Sequence, residues 1–502
     1  MEQAKPKLEY RNRQQVYLGP VDLEALIEAG HPARAVWSLL ESIDFSSYED
    51  AIRTREGEAG RAAVPPRLLA ALWIYGYSLG IGSARALERM QAHEPGLRWL
   101  CADEVVNHHT LSDFRVQRGE SLDVLFSQIL TALDRDGLVD LQTVAHDGTK
   151  VRAVAGKGSF HRKPTLQASL QRARKLVRQL KAETEAGDGE QGMDRRREAA
   201  QRRAAGERVE RMKQSLEQLR RRAAQTAPAE RSQVRVSDSE PQAKRMKLAD
   251  GSFAAAYNVQ LSTETRSTVI VAVEATREPE DSGLLSSAMR QIQRRMGRMP
   301  ERILADGGYA TRSNVGWAHR RKIELFAPWS AADKRAAGAT KRAGIEADYR
   351  PSAFVKIQDE TALQCPAGQS LPLQGNYKHH GLPTLLFEAP ATVCGECPNR
   401  QHCCPRGEGQ GRQVWQVVES RAMRKYLERM ESEEGRKTYR QRSRFGEFAQ
   451  MQIKAVKGLR RFHVQGITKV NREATLWALA YNVMQWIRLA WNKPAEAAMQ
   501  TA

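Results

Sequence analysis

The pattern of apolar and polar positions divides the chain into a helical first quarter, a β-rich middle interrupted twice, and a helical end. Up to about residue 137 the spacing predicts short helices. Pro65 and Pro66 open an apolar stretch running to Tyr77, with proline where a first helical turn tolerates it. Ser83 is placed to cap a helix over Ala84–Met90 after the Gly80-Ile81-Gly82 break. His109 to Val116 leads toward another helix between Leu122 and Leu133. A strand is expected within 138–157, where the apolar run Leu141–Ala145 reads as buried and Asp147-Gly148 as a turn that ends it. Leu166, Leu170, Ala173, Val177 and Leu180 then follow a heptad seam, which Val209, Met212, Leu216 and Leu219 resume beyond Gly187–Gly192. That spacing predicts a helical hairpin inserted over 158–234. Ala256–Leu261 and Thr268–Val273 read as paired strands across a polar turn. A helix over Asp281–Met296, a strand over Arg302–Ala305, a helix over Asn314–Arg321 and a strand over Ile323–Ala327 complete the middle. The apolar segment Ala474–Trp491 carries Asn482, Gln485 and Arg488, so it is expected to pack inside a protein and not to span a membrane.

Charge changes the picture more than length does. The chain of 502 residues is long enough for two or three domains. Its 79 Lys and Arg against 59 Asp and Glu give a formal net charge of +20, spread along the sequence, which points to a polyanion and most directly to nucleic acid. The polar start, MEQAKPKLEYRNRQQ, lacks the apolar core of a secretory signal, so a cytoplasmic protein without a membrane partner is expected. All of the 6 cysteines but Cys101 fall between Cys365 and Cys404. In a reducing compartment such clustering favours metal before disulfides. Cys365, Cys394, Cys397, Cys403 and Cys404 are the candidate ligands of one structural zinc ion, with His402 able to replace a thiol; reduced structural cysteines are the alternative. Cys101 reads as buried packing.

Three acids have the settings that metal-dependent phosphodiester chemistry needs: Asp147 in VAHDGTKV, Asp306 in RILADGGYAT and Glu447 in YRQRSRFGEFAQMQIK. Asp306 ends a short apolar strand before two glycines that let the backbone bend, whereas Glu447 lies in a proline-free segment of helical spacing. Hard carboxylate oxygens suit Mg²⁺, with Mn²⁺ as a substitute, and two such ions about 4 Å apart can activate a water and stabilise a leaving oxygen. Hairpin-like strands, a helix, a strand, a helix, a strand and a late helix form the order of an RNase H-like α/β fold, a mixed sheet flanked by helices.

These residues and their surroundings resemble the DDE transposases of bacterial insertion sequences, in the branch with a Tyr–Arg–Glu–Lys signature. The signature reads Tyr439, Arg442, Glu447 and Lys454. Four residues separate Arg442 from Glu447 where the family usually has three, so Arg440 and Arg444 are candidates for the arginine as well. The likeness extends to Asp250–Gln260, Asp306–Tyr309 and the N-terminal helical region, and is weakest between Gly158 and Val234. It implies Asp147, Asp306 and Glu447 as catalytic metal ligands, phosphate contacts from Tyr439 and an arginine, double-stranded DNA as partner (terminal inverted repeats and target), and a homodimer on the DNA. Lys454, two helical turns after Glu447, is expected on the same face. The implied organisation is a helical DNA-binding domain over 1–137 and a catalytic domain over 138–492. The latter is interrupted by the basic hairpin at 158–234 and a cysteine-rich insertion at 330–435, and 493–502 form a tail. Short helices joined by tight turns are compatible with a helix-turn-helix in which Arg85, Arg115 and Arg118 meet DNA. A catalytically silent DNA-binding regulator and a zinc-organised nucleic-acid-binding scaffold are the rival readings.

Overall fold

The computed structural model describes residues 22–52, 54, 62–117, 119–185, 192–329, 344–357, 361–379, 381–405, 409–452, 454 and 458–491, with the backbone alone for 117, 119–120, 184–185, 192–196 and 447–450. At the centre is a mixed sheet. β1 (Thr143–Arg152) pairs antiparallel with β5 (Phe253–Glu264) on one side and parallel with β7 (Arg302–Ala305) on the other. β8 (Glu324–Phe326) extends the parallel side. The far edge of β5 is shared by β4 (Lys244–Lys247) and β6 (Ile270–Thr276). The order β6-β5-β1-β7-β8 is compatible with an RNase H-like core.

One local expectation fails. Asp147-Gly148 is no turn: β1 runs straight through it to Arg152, with Gly148 paired to Gln260. Gly148 is needed for space, because a side chain there would run into Gln260 Nε2 and Asp281 Oδ1. A glycine inside a strand often marks such a close approach.

The outward edge of β6 is closed by side chains. Asn482 accepts from Ile270 N at 2.8 Å and donates to Ile270 O at 2.8 Å, and Asn471 does the same at Ala275, at 2.7 and 2.9 Å. Gln291 accepts from Val273 N at 2.9 Å. Both asparagines belong to the helix Ile467–Trp486, the apolar segment expected to pack, and it does: Leu476, Trp477 and Leu479 are buried. No described helix is long and apolar enough to cross a membrane.

The same helix joins the N-terminal region to the sheet. Among the described residues seven α-helices lie between Pro32 and Arg135, including Pro66–Ser78, which starts on its prolines, and Ala84–Met90, where Ser83 Oγ accepts from Ala86 N. The rings of Tyr77, in this region, and Trp477 meet at a tilt with centroids 4.6 Å apart, and Trp486 Nε1 donates to Asp136 at 2.7 Å. One hydrophobic core runs from Ile27 through the sheet to Ile487, so no gap in packing marks residue 137.

Two segments leave this core. The first is a helical hairpin, Lys163–Glu185 and Gly192–Ala224, seamed by Leu166, Leu170, Met212, Leu216 and Leu219. The β2–β3 ladder (Phe160–His161 with Val236–Ser237) closes its base. The second holds an antiparallel sheet in strict chain order: β9 (Val355–Ile357), β10 (Ala362–Gln364), β11 (Ser370–His379), β12 (Leu382–Glu388) and β13 (Gln413–Val417). Its core is small: Phe354, Leu363, Leu371, Phe387, Ala389 and Val414.

Candidate active site

The register of β1 with β7 fixes the heart of the site. His146 is level with Ala305, so Asp147 on one strand and Asp306, just past the end of the other, take matching positions on neighbouring parallel strands. Beside Asp147, Ala145, Leu304 and Phe326 make an apolar floor that Tyr439 and Phe445 cover. Burial in this setting pushes the Asp147 carboxyl up to about 6; Arg442 opposes the shift, while the charges of Asp306 and Asp281 add to it. Asp306 is held in a tight turn, its Oδ1 accepting from Gly308 N at 2.7 Å.

The signature residues converge on the same place, though not on one helix. Tyr439 ends the helix Glu433–Arg440, the chain breaks at Gln441, and Arg442 starts the helix Arg442–Met451. Arg442 Nη2 meets Asp147 Oδ2 at 2.8 Å, and its charge reaches Tyr439 across the break. One turn later a methyl group on Gly446 would stand 3.8 Å from the same Asp147 oxygen. Glu447 follows directly in this helix; its side chain lies outside the described residues. Lys454 is close enough to Asp147 and Lys150 to feel both: burial lowers its pKa, the charge of Lys150 lowers it further, and Asp147 opposes. Of the three arginine candidates, Arg442 is thus the one at Asp147. Arg440 is exposed, and Arg444 lies over the ring of Phe445 at 5.4 Å.

Sequence reasoning missed a polar network on the opposite face of β1. His146 bonds Ser262 Oγ at 2.9 Å and Gln260 Oε1 at 3.0 Å, and the Tyr309 hydroxyl donates to Gln260 Oε1. Asp281 accepts from Asn258 at 2.6 Å, Gln260 at 2.8 Å and Lys150 at 3.2 Å. Burial depresses the His146 pKa to about 4, so the ring is neutral and can accept a bond as well as donate one. The network ties β1 to β5 and, through Tyr309, to the turn that carries Asp306. A signal for it was visible: Asn258, Gln260 and Ser262 alternate in an otherwise apolar strand, placing three polar groups on one buried face.

One other expectation needs correction. Arg115 is not free to meet DNA. It is buried, donates to Gly82 O at 2.6 Å and Tyr77 Oη at 3.2 Å, and lies over Trp73 at 4.5 Å. Arg85 is exposed, and Arg118 lies outside the described residues. His402 is held by Glu346 at 2.6 Å. The five clustered cysteines do come together around one small cavity at the base of the second sheet. Gln369 N points at Cys365 Sγ and Arg412 N at Cys394 Sγ, both at 3.3 Å. Burial raises the Cys403 thiol to about 12. Among the described residues no three His, Cys, Asp or Glu side chains stand in a metal-holding arrangement. Cys101 is buried as expected, its thiol on Gln91 Oε1 at 3.1 Å.

Comparison with known proteins gives two family matches. Residues 364–487 match the family described as transposase DDE domain, and residues 21–117 match the transposase domain family DUF772. No curated protein and no solved structure matches the chain. The first match takes in Tyr439, Arg442, Glu447 and Lys454, whereas Asp147 and Asp306 lie outside both. Together the two matches support an insertion-sequence transposase.

Proposed function

We propose that this protein is the DNA transposase of an insertion sequence, in the Tyr–Arg–Glu–Lys branch of the DDE enzymes. In this reading it binds the terminal inverted repeats, hydrolyses a phosphodiester at each end and joins the freed 3′-hydroxyls to target DNA. The observation that carries the reading is the pair Asp147 and Asp306 at matching positions of adjacent parallel strands, next to the helix that bears Glu447. The donor set suits divalent metal. The Asp306 charge disfavours ionisation of the Asp147 carboxyl, and a dication relieves that repulsion. Asp147, Asp306 and Glu447 would hold two Mg²⁺ ions, which when bound lower the pKa of an attacking water and offset charge on the leaving oxygen.

The chain's own groups prepare the site for a phosphate. Arg442 neutralises part of the Asp147 charge and stands near Tyr439. Lys454 brings positive charge to the same place, while Lys150, on the opposite face of β1, is aligned by Asp281. The apolar floor limits water around the acids, which strengthens each of these interactions. A homodimer, one protomer per DNA end, follows from the same reading.

Zinc at the cysteine cluster is a separate proposal, supported by five thiols on one cavity and two sulfur-directed amides. Soft thiolates are suitable zinc donors. Binding would have to draw them closer than they now stand.

The test of the catalytic proposal is strand-break mapping with Mg²⁺ on a duplex carrying the DNA that flanks the coding sequence. Asp147→Asn, Asp306→Asn and Glu447→Gln should each abolish cleavage and joining while leaving DNA affinity within about twofold, because each removes a metal ligand at constant shape. Full cutting by any one variant would show that its acid is not a ligand.

A further inference from the structure

Between the edge strand β4 and the base of the helical hairpin lies a groove of about 800 Å³. Lys157, Arg222, Arg235, Lys244 and Arg245 line it, and among its described lining residues there is no acid. Phe253, also in the lining, is 46% exposed, and the Arg245 guanidinium stands 5.1 Å from its ring centre. The groove is built into the fold. Arg222 Nη2 donates to Ala243 O at 3.0 Å and Pro241 O at 3.3 Å, fastening the hairpin to the turn before β4, and the β2–β3 ladder holds the other side. Lys244 is answered by Glu278 at 3.0 Å, while Lys157, Arg235 and Arg245 present their charge to solvent. Like charges held together on a fixed surface repel one another, and a polyanion relieves that repulsion.

The position of the groove relative to the acids follows from the strand register. From Asp147 the chain runs along β1 to Arg152, a rise of about 17 Å, and Arg152 is level with Ala256, which is level with Lys244 two strands across, about 10 Å. The groove therefore lies roughly 20 Å from the acids, about six phosphates along a strand. We infer that it binds the sugar–phosphate backbone of the duplex being cut, roughly half a helical turn from the cleaved phosphate. The inference rests on the transposase reading and names a second place where the protein grips the DNA. Lys157, Arg235 and Arg245 make phosphate contacts, and Phe253 with Arg245 packs against the sugar face.

The experiment uses the full chain. Lys157→Ala, Arg235→Ala and Arg245→Ala are combined, and the salt dependence of binding to the flanking-sequence duplex is compared with that of the parent protein. A matched triple variant on the outer hairpin surface (Arg174→Ala, Lys175→Ala, Arg178→Ala) controls for net charge. Each lost phosphate contact lowers the logarithmic salt slope by about one, so the groove variant should lose two to three and bind roughly 10- to 100-fold more weakly, with the control changing less. Phosphate-ethylation interference should place the groove contact about six phosphates from the mapped break, and that signal should vanish in the variant. An unchanged slope and interference pattern in a protein that still cuts would overturn the groove assignment alone. Interference only on an unpaired strand would overturn the duplex as its occupant. Absence of any Mg²⁺-dependent cutting by the parent protein would instead remove the transposase reading on which the inference rests.

Discussion

The chain contains two sheets of similar strand number that are held in different ways. The central one is packed into a core that reaches from Ile27 to Ile487, its buried polar groups bonded to one another and its β6 edge closed by amides. The second sheet has only eight buried apolar residues among those described, with Val355 63% exposed on its edge and a cluster of thiols at its base. A core that small supplies little stability of its own. The contrast teaches that Asp147 and Asp306 belong to the over-determined sheet, while the second sheet depends on a local link.

The sharpest test of the shared core is Trp477→Ala. Trp477 is buried between the N-terminal helices and the sheet, and its truncation should cost about 3–5 kcal/mol. Urea unfolding should shift for the N-terminal region and the central sheet together. Hydrogen exchange accelerated only before residue 137 would mean that the two have separate cores. Next in size is Arg115→Ala, expected to cost about 2–4 kcal/mol because it empties a buried guanidinium site and leaves Tyr77 Oη and Gly82 O unmatched. Its salt slope for DNA should match that of the unmodified protein, whereas Arg85→Ala should alter DNA binding and hardly touch stability. A lowered slope with an unchanged unfolding midpoint for Arg115→Ala would return this residue to the DNA surface. The smallest global effect belongs to the insertion. Purified protein should carry about one zinc per chain, and chelation or Cys394→Ser should speed hydrogen exchange in β10–β13 while the main unfolding transition moves by less than about 1 kcal/mol. Metal-free protein with the same exchange pattern would leave the cysteines as packing groups.

What could be read from the sequence depended on whether a residue's partner lay near it in the pattern. β5, β6 and β7 announced themselves through apolar runs bounded by turn residues, and the hairpin through its seam, because these signals are local. β1 was foreseen as far as Asp147 and cut short there, since Asp-Gly usually bends a chain and nothing local reveals Gln260 and Asp281 crowding Gly148. β4 was missed: three of its four residues, Lys244, Arg245 and Lys247, are cationic, and only pairing with β5 makes it a strand. The second sheet was missed because Pro372 and Pro383 interrupt its strands and its core positions are few. Of the candidate site, Asp147 and Asp306 could be marked as candidates from their strand ends, whereas the arginine stayed open among Arg440, Arg442 and Arg444. The pairing of Arg442 with Asp147 was not legible, because it joins positions 295 residues apart. Arg115 was misjudged for a related reason: composition counts an arginine as surface charge and cannot see the aromatic ring beneath it.

The amides that close β6 have a consequence for assembly. An open strand edge is a template on which another chain can add itself, and Asn471, Asn482 and Gln291 occupy that template permanently. A second copy cannot extend the sheet across this border without prising away the helix that carries Trp477. Any copies brought together on DNA must therefore meet elsewhere than at this border, which frees their spacing from the fixed pitch of a sheet growing outward from β6.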